Sequence, residues 1–382
     1  MKNFQDQFLL NPAITFLNFG SFGATPKPIF ENYQHWQRVL ESEPVQFIAF
    51  DGINYLAASR EALAKYIGCV DRDDLVYVTN PSFAVNLIAK NFPLKAGDEI
   101  LTTDIEYGAC DRTWNFYCEK AGAKYRRQKI NLPITTKEQF IADFFQGVTA
   151  KTKAIFISQI TSSTGLIIPV KEVCEIAKSK GLITIVDGAH SFGLLDFKVP
   201  ELGCDYFGTS LHKFLSAPIG SGMLWIKKEN IEKIWPLVCN DNPKGTDIRK
   251  FETLGTRSFP IEQGIGEAIN FHTAIGSKRK EERIRYLKNY WASRVKEIPK
   301  VKINTSLKDA FSCAICGVSV DGMTPGELDS ALFTNYKIHT VGIVWDNLSC
   351  VRITPHVYTR IQDLDKLVNA IESIAKKSPA SK

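Results

Sequence analysis

At roughly 150 residues per domain, the chain of 382 residues is long enough for two or three domains. Its 44% hydrophobic and 23% charged residues are the composition of a globular protein and exclude a disordered or fibrous one. The net charge of +6 is small for this length, so we expect no nucleic-acid binding. No apolar run reaches the roughly 20 residues of a membrane-spanning helix, and residues 1–11 lack a signal-peptide pattern, so we expect a cytoplasmic protein without membrane contact.

Short apolar strands alternate with helical patterns through the middle of the chain. Residues 170–180, for example, have apolar side chains at helical spacing and stop before Gly181, a common helix end. This alternation predicts an α/β fold whose large domain has a mostly parallel sheet covered by helices on both faces. Ligands of such sheets bind beyond the carboxyl ends of the strands. The predicted strands are residues 75–79, 99–103, 153–158, 182–187, 205–210 and 222–226.

The last third of the chain has a different pattern. Helical segments at 261–277 and 281–294 are followed by short strands near 314–320 and 350–354 and a helix at 362–375. We therefore predict a large domain over 19–260 and a smaller α+β domain over 261–382, which the N-terminal segment 1–18 joins. The pair Cys313 and Cys316 is interpreted as part of one strand, and no metal site is expected.

Polar residues follow two of the predicted strands directly. Asp187 ends one strand and precedes Gly188-Ala189-His190, and the next strand leads into Ser210-Leu211-His212-Lys213. A strand-terminal Asp is often a turn cap and a lysine is often solvated, so each residue alone is a weak signal. Together they supply what pyridoxal phosphate requires: an amine for a Schiff base and a carboxylate for the pyridine nitrogen.

With these motifs, and with Leu17-Asn18-Phe19-Gly20-Ser21 and Val351-Arg352-Ile353 near the two ends, the chain resembles the class V aminotransferase-like, fold-type I pyridoxal phosphate enzymes. Within them it is similar to the isopenicillin N epimerase-like branch. The resemblance covers nearly the whole chain and implies the cofactor pyridoxal 5′-phosphate and an amino acid substrate. It makes Lys213 the Schiff-base lysine and Asp187 the partner of the pyridine nitrogen, and it implies chemistry at the Cα atom through an external aldimine.

The resemblance also implies further contacts with the cofactor and the substrate. Arg352 would bind the substrate carboxylate, because a guanidinium presents a fork of donors. Thr256 would come from the neighbouring subunit to the phosphate, which implies a homodimer with a shared active site. The other implied contacts are His190 near the phenolic oxygen, Ser210 and His212 on the phosphate, Pro81 and Ser82 at a helix N-terminus on the phosphate, Tyr107 stacked on the ring, Ser162 and Ser163 on the cofactor or substrate, and Asn18 and Ser21 over the substrate.

The reaction itself stays open among several alternatives. A cysteine desulfurase of this fold needs a reactive cysteine before the arginine, and residues 341–349 contain none. Epimerisation is the main interpretation, with transamination or C-S lysis as the alternative and a non-catalytic relative of the fold as a third. A racemising enzyme needs a second proton donor, for which Tyr107, His339 and water are candidates.

Overall fold

The computed structural model describes residues 4–134, 136–345 and 348–378. The strands of these residues are β1 (Thr15–Phe16), β2 (Leu75–Val78), β3 (Glu99–Thr103), β4 (Lys124–Gln128), β5 (Thr152–Ser158), β6 (Ile183–Asp187), β7 (Tyr206–Ser210), β8 (Gly222–Ile226), β9 (Val301–Ile303), β10 (Cys316–Val320), β11 (Ile338–His339), β12 (Val341–Trp345) and β13 (Leu348–Ile353). The helices are α1 (Phe19–Phe22), α2 (Lys27–Ser42), α3 (Gly52–Ile67), α4 (Pro81–Asn91), α5 (Gly108–Ala121), α6 (Lys137–Phe145), α7 (Val170–Ser179), α8 (Pro260–Ile275), α9 (Ser277–Val295), α10 (Pro325–Tyr336) and α11 (Ile361–Lys377).

The central sheet has seven strands in the order β2-β8-β7-β6-β5-β3-β4. Strands β4, β3, β5, β6 and β7 run parallel, and β8 is antiparallel to both of its neighbours. No helix lies between β7 and β8 among the described residues, and without a crossover the chain returns in the opposite direction. The predicted α/β fold with a mostly parallel sheet and a smaller α+β part is confirmed.

The core lies on both faces of this sheet. In β5, Ile155 and Ile157 pack into one apolar cluster, whereas Ala154 and Phe156 pack into the cluster on the opposite face. Successive side chains of a strand point to opposite faces, so a strand buried on both faces has apolar residues at every position. This explains the continuous apolar runs in the sequence.

The C-terminal part of the chain contains a second, antiparallel sheet in the order β12-β13-β10-β9. The N-terminal strand β1 pairs in parallel with β11, and Leu17 lies in the apolar core of this part. The division at residues 18 and 260 remains a prediction. One local prediction is wrong: Cys313 precedes β10, which begins at Cys316. No helix among the described residues is long and apolar enough to cross a membrane.

The carboxyl ends of the parallel strands bring the predicted site residues to one edge of the sheet. β3 leads to Tyr107, β5 to Ser162, β6 to Asp187 and β7 to Lys213. The N-terminal segment also reaches this edge. Gly23 has φ +72°, and a Cβ atom there would lie 2.1 Å from the carbonyl oxygen of His212, so only glycine permits this approach.

Candidate active site

Lys213 lines a cavity of about 300 Å³ at this edge of the sheet. Its Nζ atom lies 3.2 Å from Nε2 of His190 and 5.9 Å from the ring centroid of Tyr107. Burial lowers the pKa of Lys213 to about 8, although the nearby Asp187 carboxylate opposes this shift. The neutral amine, which is the nucleophilic form, is therefore available near neutral pH.

Asp187 is 3% exposed at the end of β6. Its Oδ1 accepts a hydrogen bond from the N–H of Ala189 at 2.8 Å, and the Cys110 thiol lies 3.7 Å from Oδ2. Burial raises the pKa of Asp187, because few donors compensate for its lost hydration. Such a carboxylate is suited to a cationic partner, and a protonated pyridine nitrogen is one.

His190 lies between Lys213 and the N-terminal segment. Its Nε2 is 3.0 Å from the carbonyl oxygen of Gly20 as well as 3.2 Å from Lys213. Burial and the nearby positive charges lower the pKa of His190 well below its usual value, so the ring is neutral. A neutral Nε2 either donates to Gly20 or accepts from Lys213, because one ring nitrogen has only one of these roles at a time.

Arg352 belongs to the same cavity and is held by two hydrogen bonds. Nη1 donates to the backbone carbonyl of Ser162 and Nη2 to the hydroxyl of Ser21, each at 2.8 Å. Ser21 in turn donates to Oδ1 of Asn18 at 2.7 Å. Nε of Arg352 and the hydroxyl of the buried Ser163 have no hydrogen-bond partner within the described ranges. These unpartnered polar atoms fit a cavity that takes a polar ligand.

The predicted phosphate residues lie where α4 begins and β7 ends. Asn80 is the N-cap of α4, and its side chain accepts from the N–H of Phe83 at 2.9 Å, as expected of a plain helix cap. Pro81 is the first residue of this helix, and Ser82 is half-buried beside it. Ser210 is buried at the end of β7.

His212 has a fixed tautomer. Its Nδ1 is 3.1 Å from the carbonyl oxygen of Ser221, so Nδ1 carries the proton and donates. Burial lowers the pKa of His212, and in the neutral ring Nε2 has no proton to donate. Donation from Nε2 to a phosphate oxygen therefore requires a protonated ring.

Several predicted residues do not line the cavity that contains Lys213, namely Asn18, Pro81, Ser82, Asp187, Ser210, His212, Thr256 and His339. Thr256 is exposed in the segment between β8 and α8 and does not line the cavity that contains Lys213. Its role in a neighbouring subunit stays a prediction. His339 packs against the rings of Phe16 and Phe333 and does not line the cavity either.

With this geometry established, comparison with known proteins identifies the family. A sequence profile described as aminotransferase class-V matches residues 28–367. The chain belongs to this family. Its relatives include isopenicillin N epimerases from Streptomyces clavuligerus and Amycolatopsis lactamdurans, each 28% identical, with alignments that cover 96% of both chains and 98% of both chains respectively. The solved structure of the cysteine desulfurase CsdA from Escherichia coli matches with a TM-score of 0.85 at 19% identity over 98% of both chains.

Membership in the aminotransferase class-V family confirms the predicted resemblance and the predicted cofactor, pyridoxal 5′-phosphate. It also confirms that the chain is a pyridoxal phosphate-dependent enzyme. The residues present fit the cofactor: the cavity joins a nucleophilic amine to a guanidinium with an unpartnered Nε, and a poorly compensated carboxylate lies behind it.

Glu106 and Trp345 also line the cavity of this class-V enzyme, and neither had a predicted role. Glu106 is 2% exposed and accepts hydrogen bonds from the hydroxyl of Thr103 at 2.7 Å and the N–H of Ser158 at 3.0 Å. Burial raises its pKa to about 7. Trp345, at the end of β12, donates from Nε1 to the carbonyl oxygen of Asp104 at 3.1 Å. A buried acid next to Tyr107 was the available signal for Glu106, whereas Trp345 reaches the site only through the fold.

Proposed function

We propose that this class-V enzyme removes and returns the proton at the Cα atom of an amino acid, as an epimerase or racemase. The observation that carries the proposal is the cavity shared by Lys213 and Arg352, an amine of lowered pKa and a guanidinium fork. An α-amino acid has a carboxylate next to its Cα atom, so one residue binds the substrate and the other meets the Cα proton. The full-length similarity to two isopenicillin N epimerases supports epimerisation among the reactions open to the family.

Lys213 would hold the cofactor through Nζ, and Asp187 would pair with its pyridine nitrogen. When bound, the cofactor supplies an electron-withdrawing ring that stabilises negative charge at the Cα atom. Asp187 maintains this property by keeping the nitrogen protonated. Tyr107 would stack on the ring of the cofactor. The other cofactor contacts of the proposal are His190 near the phenolic oxygen, Ser162 and Ser163 beside it, and Pro81, Ser82, Ser210 and His212 at the phosphate.

Arg352 binds the substrate carboxylate and orients the Cα atom. Its hydrogen bonds to Ser162 and Ser21 restrict the guanidinium to one direction before the substrate arrives, which reduces the entropy lost on binding. Asn18 holds Ser21, and so the N-terminal segment covers the substrate. When Nζ of Lys213 does not hold the cofactor, it would take or deliver the Cα proton on one face of the substrate. Inversion also needs a donor on the opposite face, and Tyr107, which lines the cavity, or a water would serve there.

The segment before Arg352 argues against a desulfurase. Its described residues belong to β12 and the start of β13, and residues 341–349 contain no cysteine. Cys350 is 1% exposed inside β13, and burial raises its pKa to about 11. A buried thiol with this pKa is a poor nucleophile, so the persulfide chemistry of a desulfurase has no suitable sulfur here.

The test is Cα proton exchange in deuterated water. The holoenzyme is incubated with a panel of L- and D-amino acids, and exchange is followed by NMR while chiral chromatography and mass spectrometry identify the products. We expect exchange for at least one amino acid together with the appearance of its enantiomer. Exchange with formation of a keto acid would instead support an aminotransferase, and release of sulfide a C-S lyase. The absence of exchange for every amino acid would contradict the proposal.

We further propose a cytoplasmic homodimer with two shared active sites. Thr256 is exposed and lies next to Gly255, whose φ is +84°, in a loop that a second subunit could approach closely. An isologous interface would place the hydroxyl of each Thr256 at the phosphate of the other subunit. In this proposal residues 1–18 join a small domain, 261–382, and residues 19–260 form the large domain that binds the cofactor.

A further inference from the structure

A buried lysine lies behind the loop that carries Lys213. Lys280, in the first turns of α9, is 1% exposed. Its Nζ atom contacts three groups: the carbonyl oxygen of Gly193 at 2.8 Å, the carbonyl oxygen of Phe214, and the ring of His272, whose Nε2 lies at 2.9 Å. None of these three is a carboxylate. The proposed chemistry uses neither Lys280 nor His272.

This arrangement is satisfied without a charge. A neutral amine has two N–H groups and one lone pair, so Lys280 can donate to both carbonyls, and the tautomer of His272 decides which partner donates in the third contact. Burial lowers the pKa of Lys280 and of His272 well below their usual values, in agreement with neutral forms. A buried ammonium without a carboxylate would be costly, whereas a neutral amine with three partners is not.

The two carbonyls belong to the loops that carry the site. Phe214 directly follows Lys213, and Gly193 lies three residues after His190. The loops also touch through their backbones: Gly193 has φ +71°, and a Cβ atom there would lie 2.6 Å from the backbone nitrogen of Leu215. The Nζ atom of Lys280 on α9 therefore forms hydrogen bonds with both loops.

An aromatic layer lies next to this contact. The ring of Phe214 is 6.0 Å from that of His356, which stacks on Phe19 with centroids 3.7 Å apart. Neither ring nitrogen of His356 has a partner in the described part of the chain. The carbonyl of Gly20, the residue after Phe19, is the group that contacts His190. Aromatic rings thus pack next to the two segments that contact His190 and carry Lys213. Lys280 adds hydrogen bonds to the backbone of Phe214 and Gly193.

We propose that Lys280 is a positioning residue that aims Nζ of Lys213 into the cavity by holding the carbonyls of Phe214 and Gly193. The inference rests on the proposed role of Lys213 as the lysine that binds the cofactor. Lys280 acts through the backbone and touches neither cofactor nor substrate. Its loss should therefore slow the reaction of Lys213 with an aldehyde and leave the recognition of the phosphate and ring unchanged.

The experiment compares two ligands on the full-length chain freed of cofactor. Pyridoxal 5′-phosphate has the aldehyde, and its capture is timed by the growth of the visible absorption band. Pyridoxine 5′-phosphate has the same ring and phosphate but no aldehyde, and its affinity is measured by calorimetry. In Lys280→Met we expect capture to slow by about 10- to 100-fold, the cost of a small misplacement of a reacting group, with unchanged affinity for pyridoxine 5′-phosphate.

Lys288→Met is the matched control. Lys288 is also fully buried on α9, but its Nζ donates to the hydroxyl of Ser312 at 2.6 Å and contacts neither loop. This variant loses a buried lysine of the same helix, so it should lower the melting temperature and capture the cofactor at the wild-type rate. If Lys280→Met fails to fold, His272→Leu removes the third contact of Nζ together with the hydrogen bonding of the ring to the backbone of Phe214 and Leu215, and it should slow capture in the same direction.

Three results would overturn the inference. The first is capture of pyridoxal 5′-phosphate at the wild-type rate by the folded Lys280→Met protein. The second is an equal loss in this variant of the binding of pyridoxal 5′-phosphate and of pyridoxine 5′-phosphate. The third is a slowing of capture in Lys288→Met equal to that in Lys280→Met. A failure of the proposed function gives a different result. In that case borohydride reduction of the wild-type holoenzyme would fix the cofactor to a lysine other than Lys213.

Discussion

Replacing Arg352 with lysine tests how the substrate carboxylate is bound. In the wild-type chain Nη1 and Nη2 each make a 2.8 Å hydrogen bond, and burial lowers the pKa of the guanidinium to about 10. The guanidinium remains charged at neutral pH. Lysine keeps the charge, but its donors radiate from one atom and cannot form the planar fork that matches a carboxylate.

The expected fall in kcat/KM of Arg352→Lys follows from the hydrogen bonds that the substrate carboxylate loses. A hydrogen bond to a charged group contributes about 1.5–3 kcal/mol, so the loss of one of a bidentate pair predicts a fall in kcat/KM of about 10- to 100-fold. The loss should appear mainly as a raised KM if the carboxylate contact is the same in the ground state and the transition state. The visible band of the bound cofactor should be unchanged.

The assay is the kinetics of Cα proton exchange over a range of amino acid concentrations. Arg360→Lys is the control, because Arg360 pairs with Asp363 at the surface and such exposed pairs contribute little. Wild-type KM and kcat/KM in Arg352→Lys, with Arg360→Lys also unchanged, would refute the assignment of Arg352 to the substrate carboxylate.

Three further predictions follow from the site. Asp187→Asn should bind the cofactor but exchange the Cα proton about 100-fold more slowly or worse, because the nitrogen loses its charged partner; undiminished exchange would contradict this role. In the cofactor-free chain, an amine-selective reagent should modify Lys213 faster as pH rises through about 8 and then level off, because only the neutral amine reacts; a rise centred near 10.5 would contradict the effect of burial. Light scattering should report twice the chain mass, and mixing Lys213→Ala with an impaired Thr256→Ala chain should restore activity through one unmodified site per mixed dimer; no gain over the separate mutants would place Thr256 in its own subunit.

The strands of the central sheet were predictable because they are buried on both faces. Their apolar runs give boundaries within one or two residues, and residues 99–103 and 222–226 coincide with β3 and β8. The edge strand β4 was not predicted. Its sequence, Lys124–Gln128, is polar and largely exposed, so neither an apolar run nor burial marks it.

Some residues of the candidate site could likewise be predicted from the sequence, and others could not. Asp187 and Lys213 could be found because each directly follows a strand, and chain order alone brings strand ends together at one edge. Lys280 could not be found from the sequence. Its contacts with Phe214 and Gly193 join residues 66 and 87 positions apart, and they depend on how α9 packs under two loops. Local patterns contain no information about such long-range contacts.

The central claim is that Lys213 holds the cofactor within this cavity. Reduction of the holoenzyme with borohydride, followed by proteolysis and mass mapping, identifies the lysine directly. We predict one phosphopyridoxyl group per chain, on Lys213, and none in Lys213→Ala. A label on any other lysine of the wild-type enzyme, or a reducible visible band that persists in Lys213→Ala, would contradict the account.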